Sequence, residues 1–252
     1  LDAAGLHSGS VPWAEVKTAD ELAEAAGRMG FPCVLKPAWG AGSQFVVRLE
    51  DASETRDAFD YLKANMTPKF DPIYAYGTEI LLERYVPGAE VDADLLLQGG
   101  EVVFHAFTDN FPTKEPFFVE TGDAMPSRHE DADLDAVLAL ARKAVKALGL
   151  KDGAVHFEAR LDEDGPKLIE VNARMGGDYL YDWIKTVWGV DLIEESAKVA
   201  LGLPARPAKA AEPLTHLVGS YIVPESSGVI SGLSLPHQRP GGEAPRPGGE
   251  AA

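Results

Sequence analysis

The sequence is poor in cysteine and in cations, and it contains no long apolar run. Cys33 is the single cysteine among 252 residues, which excludes an internal disulfide and a multi-cysteine zinc site. Cys33 lies in the apolar run FPCVL and reads as a buried thiol rather than a nucleophile. No apolar stretch reaches the ~18 residues of a membrane-spanning helix. Lys and Arg number 23 against 40 Asp and Glu, a formal net charge of −17. Nucleic acid is thereby excluded as a partner, because binding it rests on neutralising phosphates with Lys and Arg. The Gly-x-x-x-x-Gly-Lys-Ser/Thr phosphate loop is also missing. The first residues carry no basic segment followed by an apolar one, so no secretory leader is read. The chain starts at Leu1 rather than Met and reads as a piece of a longer protein. Lone-cysteine usage and the lack of a leader point to the cytoplasm.

Apolar residues make up 45% and charged residues 25%, an ordinary globular balance with length enough for a sizeable core. Thr18 followed by Glu21 is a capping box, predicting a helix that ends near Gly30. Strands are expected at 31–37 and 45–49, flanking a glycine-bearing loop at 38–43, with a helix at 53–64. Further strands are expected at 80–86, 90–97 and 101–108, the last two hinged at Gly99 and Gly100. Residues 110–128 hold three prolines and little periodicity and read as a long functional loop. Leu134, Val137, Leu138, Ala141, Val145 and Leu148 recur at helical spacing, and Gly149 fits the C-cap. Strands at 154–161 and 167–172, helices at 179–188 and 192–201, and a strand at 216–223 follow. The repeated RPGGEA at 239–244 and 246–251 has nothing large to pack and reads as disordered.

Three groups of residues carry chemistry. Lys36 ends an apolar strand and precedes Gly40, Gly42 and Ser43. A lysine there neutralises phosphate, and free backbone N–H groups of such a loop bind its oxygens; an ordinary surface lysine before a turn has the same spacing. Glu83, Val86 and Glu90 bracket a Pro-Gly linker. Carboxylates so placed can read an adenine amino group and ribose hydroxyls, or can simply be a solvated pair. The strongest group spans a predicted hairpin, with His156 and Glu158 on one strand and Glu170 and Asn172 on the next, followed by Arg174. Alternation puts Glu170 and Asn172 on one face, with Glu158 close across the ladder. Two carboxylates and an amide form a hard oxygen site suited to Mg²⁺ shared with phosphates, and Arg174 can hold a phosphate or oxyanion. A polar sheet face with Arg174 pairing one glutamate is the plainer alternative.

In that order these residues resemble the ATP-grasp superfamily, and within it the carnosine-synthase-like and L-amino acid (dipeptide) ligases. The stretches that carry the likeness are FPCVLKP at 31–37, DADLLL at 92–97, TDNFPT at 108–113 and Glu120-Thr121 through Met125-Pro126. EVNARMGG at 170–177 and YLYDW at 179–183 with GVDL at 189–192 complete it, so that it covers about 10–225. Phe45 departs from the pattern, since relatives often have glycine there.

The resemblance implies an α+β fold of two α/β lobes with antiparallel sheets holding ATP between them. It divides the chain into a small lobe at 1–82 with a truncated N-terminal edge, a large lobe at 83–225 with the Mg-ATP site, and a truncated C-terminal segment at 226–252. It implies an ATP-dependent carboxylate–amine ligase working through an acyl phosphate, with ATP, two Mg²⁺ or Mn²⁺ ions and two small amino acids. An ω-amino acid such as β-alanine with histidine is the pair it suggests. Lys36, Gly40, Gly42 and Ser43 would hold the phosphates, Glu83 and Val86 adenine, and Glu90 ribose. Glu158, Glu170 and Asn172 would bind metal. Arg174 would steady the reacting species, with His156 beside the carboxylate. Glu120, Gly176, Gly177 and Asp182 would face the amino acids. A carboxylase-type member and a non-catalytic ATP-binding module are the alternatives, and a homo-oligomer stays open.

Overall fold

The computed structural model describes residues 9–223 together with 228, 229 and 232. The chain divides into two units, Leu1–Tyr221 and Ile222–Ala252. The tail repeats expected to be disordered lie outside the described residues. Among the described residues no helix is long and apolar enough to cross a membrane.

The first unit contains two antiparallel sheets. The smaller has the order β1-β4-β2-β3, formed by β1 (Trp13–Val16), β2 (Cys33–Pro37), β3 (Val47–Leu49) and β4 (Ile80–Arg84). It is covered by α1 (Ala19–Met29) and α2 (Thr55–Asn65). The Thr18 side chain accepts from the Glu21 backbone N–H at 3.1 Å, so the expected cap forms. Glu21 Oε2 accepts from the Lys17 N–H rather than that of Thr18, at 2.8 Å, one residue earlier than a standard capping box. Leu22, Cys33, Leu35, Leu49, Leu62 and Leu82 are fully buried together. Each leucine contributes roughly 1.5–3 kcal/mol of apolar burial, and burial raises the Cys33 thiol above its ordinary pKa.

The larger sheet has the order β10-β7-β6-β5-β8-β9. Its strands are β5 (Glu90–Gln98), β6 (Glu101–Asn110), β7 (Gly122–Met125), β8 (Gly153–Asp162), β9 (Gly165–Asn172) and β10 (Leu217–Ser220). Alternation on β5 sends Ala93, Leu95 and Leu97 to one face, where they meet Val155, Phe157 and α3 (Asp131–Ala147). Leu96, on the other face, packs with Phe104, Met125, α4 (Leu180–Trp188) and α5 (Leu192–Ala200). Gly99 and Gly100, at φ 62° and 86°, supply the left-handed turn the β5–β6 hairpin requires.

Three expectations need correction. Residues 110–128 are not loop throughout: β7 is a fully buried strand paired with β6 and β10. Its sequence, GDAM, has no β-branched residue, so only tertiary pairing makes it a strand. Phe45 does not begin a strand, since its φ of 60° is left-handed and β3 starts two residues later. Packing of its ring against Tyr61, Phe70 and Tyr74 holds it there. β1 is an additional strand at the edge of the smaller sheet.

Candidate functional site

A cavity of about 630 Å³ is walled by both sheets. From the smaller sheet come Lys36, the loop with Gly40, Gly42 and Ser43, and Glu83. Lys36 and Glu83 stand on neighbouring strands, and their side chains form an ion pair at 2.8 Å, each about one-fifth exposed. Gly40, Gly42 and Ser43 all have positive φ, at 151°, 61° and 54°. Such a loop turns its backbone away from regular pairing and leaves N–H groups available to an anion.

The opposite wall is the polar end of the larger sheet, where register arranges side chains in rows across the strands. One row runs Asp123, Asn110, Glu90, Arg160. The next runs Thr108, Asp92, Glu158, Glu170, and a third Asp94, His156, Asn172. Glu90 is held by Asn110 Nδ2 at 3.4 Å and Arg160 Nε at 3.8 Å. Arg48 from β3 and Arg160 from β8 flank the Tyr85 ring at 4.2 and 5.3 Å. The Tyr85 hydroxyl donates to Glu115 at 2.9 Å, and Glu115 also pairs with Arg48.

Glu158 and Glu170 are direct cross-strand partners. Burial first and Glu170 second push the Glu158 carboxyl up to about 7, against the opposing charge of His156, as expected for two neighbouring carboxylates in a buried site. Asn172 lies alongside, its amide nitrogen 3.5 Å from Glu158 Oε1. Among the described residues no three His, Cys, Asp or Glu side chains form a metal cage. A carboxylate pair that leaves further positions to water and phosphate oxygens is what Mg²⁺ takes in nucleotide sites, so these residues fit that ion.

His156 is 5% exposed beneath this wall. Its Nδ1 is 3.2 Å from Asp94, and its Nε2 is 3.6 Å from both Asp92 and Glu158. Burial disfavours the imidazolium, but the Asp94 hydrogen bond and the charges of Asp92, Asp94 and Glu158 outweigh it, raising the pKa to about 9. His156 is therefore a fixed cation at neutral pH. Its folded pKa lies above its ordinary 6.5, so the stability it contributes is complete below pH 6.5 and is lost as pH rises through 9. Glu158 acts in the same direction below pH 7. The metal-free protein is expected to lose thermal stability between pH 7 and 9, and His156→Gln to remove that loss; a flat midpoint in the unsubstituted protein contradicts the assignment.

Of the residues singled out from sequence, Lys36, Gly40, Gly42, Ser43, Glu83, Val86, Glu90, Glu120, His156, Glu158, Glu170, Arg174 and Gly177 line the cavity. Asn172, Gly176 and Asp182 do not. Gly176 is buried behind the wall and Asp182 is exposed on the first turn of α4. Sequence reasoning gave no site role by number to Asp92, Asp94 or Asp123, and held Asp178 only within the segment 176–182 expected to face the amino acids. Asp123 accepts from the Tyr179 hydroxyl at 2.6 Å, and burial followed by that hydrogen bond pulls its carboxyl in opposite directions, for a net rise. Alternation in DADL was the available signal, because it puts both β5 aspartates on the face of His156.

A family model described as an ATP-grasp domain matches residues 29–182, more than half of the chain. The chain belongs to the ATP-grasp family. Human carnosine synthase 1 is 35% identical over 222 residues, covering 86% of this chain and 26% of that protein. The alanine–anticapsin ligase of Bacillus subtilis is 30% identical over 195 residues, 71% of this chain and 40% of that one. Among solved structures, the L-amino acid ligase of Bacillus licheniformis superposes with TM-score 0.65 at 26% identity, over 83% of this chain and 46% of that one. Biotin carboxylase from Campylobacter jejuni has TM-score 0.68 at 21% identity, over 86% and 47%, and shares the fold. The chain spans about a quarter of the length of the carnosine synthases it matches. Its two antiparallel sheets with helices agree with the α+β ATP-grasp architecture expected from sequence.

Proposed function

We propose that this chain is the ATP-binding catalytic part of a carboxylate–amine ligase that joins two amino acids through an acyl phosphate. The observation that carries the reading is the opposition, across one cavity, of Lys36 and the glycine loop to Glu158, Glu170 and Arg174. In this reading Lys36 and the backbone of 40–43 hold the ATP phosphates, while Glu83 and Val86 contact adenine and Glu90 the ribose. Glu158 and Glu170, with Asn172, would hold Mg²⁺, which would offset phosphate charge when bound. Arg174 steadies the oxygens of the transferring phosphoryl group and of the tetrahedral species.

The substrate carboxylate attacks the γ-phosphorus and ADP leaves. The amine of the second amino acid then attacks the acyl carbon, a proton is lost, and phosphate departs with the amide formed. His156, being already protonated, supplies positive charge near the carboxylate rather than removing a proton. The glycine loop covering the phosphates excludes water from the acyl phosphate. No nucleophilic side chain is required.

Relatives named as a carnosine synthase and as amino acid ligases support amino acids over bicarbonate, and an ω-amino acid with histidine is the first pair to try. ADP formation is expected with an amino acid pair and Mg²⁺, with the dipeptide seen by mass, and not with bicarbonate plus biotin. ATP binding without ADP under every pair would instead indicate a binding module.

A further inference from the structure

We propose that Asp94 is a positioning residue, one that tethers the loop carrying Arg174 and Gly177 to the sheet so that Arg174 meets the reacting oxygens. The inference rests on the ligase reading for its kinetic consequence, but not for its structural one.

Asp94 is 1% exposed in the middle of β5. Its row neighbour on β6 is Ala106, which is buried with the apolar core beneath α4. An aliphatic side chain at position 94 would extend that core, so a carboxylate there opposes local packing and must be compensated. Two groups compensate it. Asp94 Oδ1 accepts from the backbone N–H of Gly176 at 2.7 Å and lies 3.2 Å from His156 Nδ1. Oδ2 has no hydrogen-bond partner, so the charge is spent on these two contacts alone.

Gly176 lies in the connection between β9, which ends at Asn172, and α4, which starts at Leu180. The same connection carries Arg174, Gly177 and Asp178, all on the cavity wall. A Cβ on Gly176 would fall 2.7 Å from Leu180 Cδ1 and 3.0 Å from Asp94 Oδ1. The glycine is what lets the backbone come close enough to donate. Arg174 itself is exposed, and its guanidinium donates to the Met175 carbonyl at 2.9 Å. That is a contact within its own loop and does not fix the loop to the sheet. The Asp94–Gly176 hydrogen bond joins the strand at the centre of the polar rows directly to this loop, and Asp94 thereby couples His156 and Arg174 through one carboxylate.

Replacement Asp94→Ala is expected to lower the rate of ADP formation about 100-fold, the scale of a misplaced catalytic group, with the KM for ATP changed no more than about 3-fold. Asp94→Asn, whose amide oxygen can still accept from Gly176, should recover most of that loss. Amide exchange at 174–178 is expected to rise by at least about 10-fold in Asp94→Ala, with α3 unaffected. If Asp94→Ala does not fold, Gly176→Ala, whose Cβ crowds Leu180 and Asp94 at this contact while leaving the carboxylate in place, is expected to give the same kinetic split and the same local exchange. Unchanged exchange at 174–178, or equal loosening of α3 together with a matching change in KM, overturns the proposal. Should the unsubstituted protein form no ADP with any amino acid pair, the ligase reading fails and exchange alone decides: a local rise upholds the tether and its absence overturns it.

Discussion

Glu170→Gln is expected to abolish Mg²⁺-dependent ADP formation, by about 10³-fold or more, while leaving the fold intact. Glu170 faces Glu158 across the β8–β9 ladder, and the substitution keeps shape while replacing one carboxylate oxygen by a donating amide and removing one of two negative charges. Metal stabilisation of phosphoryl transfer is worth several kcal/mol, and each ~1.4 kcal/mol is tenfold in rate. The fold has little stake in Glu170. It is exposed on β9, an edge strand of the larger sheet, where a substitution usually shifts stability by no more than about 0.5 kcal/mol. Relief of repulsion on Glu158, whose carboxyl Glu170 helps to raise, makes a small gain in metal-free stability the expected direction. Turnover within about 3-fold of the unsubstituted protein, in a folded variant, removes this pair from the mechanism.

Lys36→Met should raise the KM for ATP by at least about 10-fold and lower kcat about 10²-fold, as expected when a fixed charge at the transferring group is lost. Lys36 pairs with Glu83 at 2.8 Å, so its removal also leaves a carboxylate without this partner on the cavity wall. The double variant Lys36→Met with Glu83→Gln separates the two effects. Stability is expected to return toward that of the unsubstituted protein, but kcat is not. Recovery of kcat in the double variant would mean that Lys36 serves only to neutralise Glu83.

The parts of this molecule legible in the sequence are those set by local pattern. Thr18 and Glu21 announce α1, Gly99-Gly100 announces the β5–β6 hairpin, and alternation around Glu158 and Glu170 places the two carboxylates face to face in the observed register. What local pattern does not contain is pairing between distant segments. The strand β7 exists because β6 and β10 enclose it, and Gly122–Met125 has no intrinsic preference that predicts this. Phe45 reads as a strand residue by composition, yet aromatic packing fixes it in a left-handed turn. Asp92 and Asp94 enter the sequence reading only within the DADLLL likeness and without a site role, because charged residues in a strand are ordinarily read as its solvent face. Their burial follows from His156 on β8 and, over Asp94, from the connection carrying Gly176, a fact of tertiary assembly. Asp182 shows the reverse case, since resemblance aims it at substrate and α4 leaves it exposed outside the cavity wall.

The two walls also explain how an acidic chain can take an anionic nucleotide. Net charge is −17, but the cavity brings Lys36, Arg160, Arg174 and His156 together, and in the proposed reading the Glu158–Glu170 pair would turn excess negative charge into a place for a divalent cation. Local arrangement, rather than overall charge, decides the partner.

A crystal structure of the protein soaked with Mg²⁺ and a non-hydrolysable ATP analogue is the most direct examination of that arrangement. The triphosphate should lie between Lys36 with the 40–43 loop and the β8–β9 wall, with metal density against Glu158 and Glu170. A nucleotide bound elsewhere, or phosphates in this cavity with no metal at that carboxylate pair, would contradict the account.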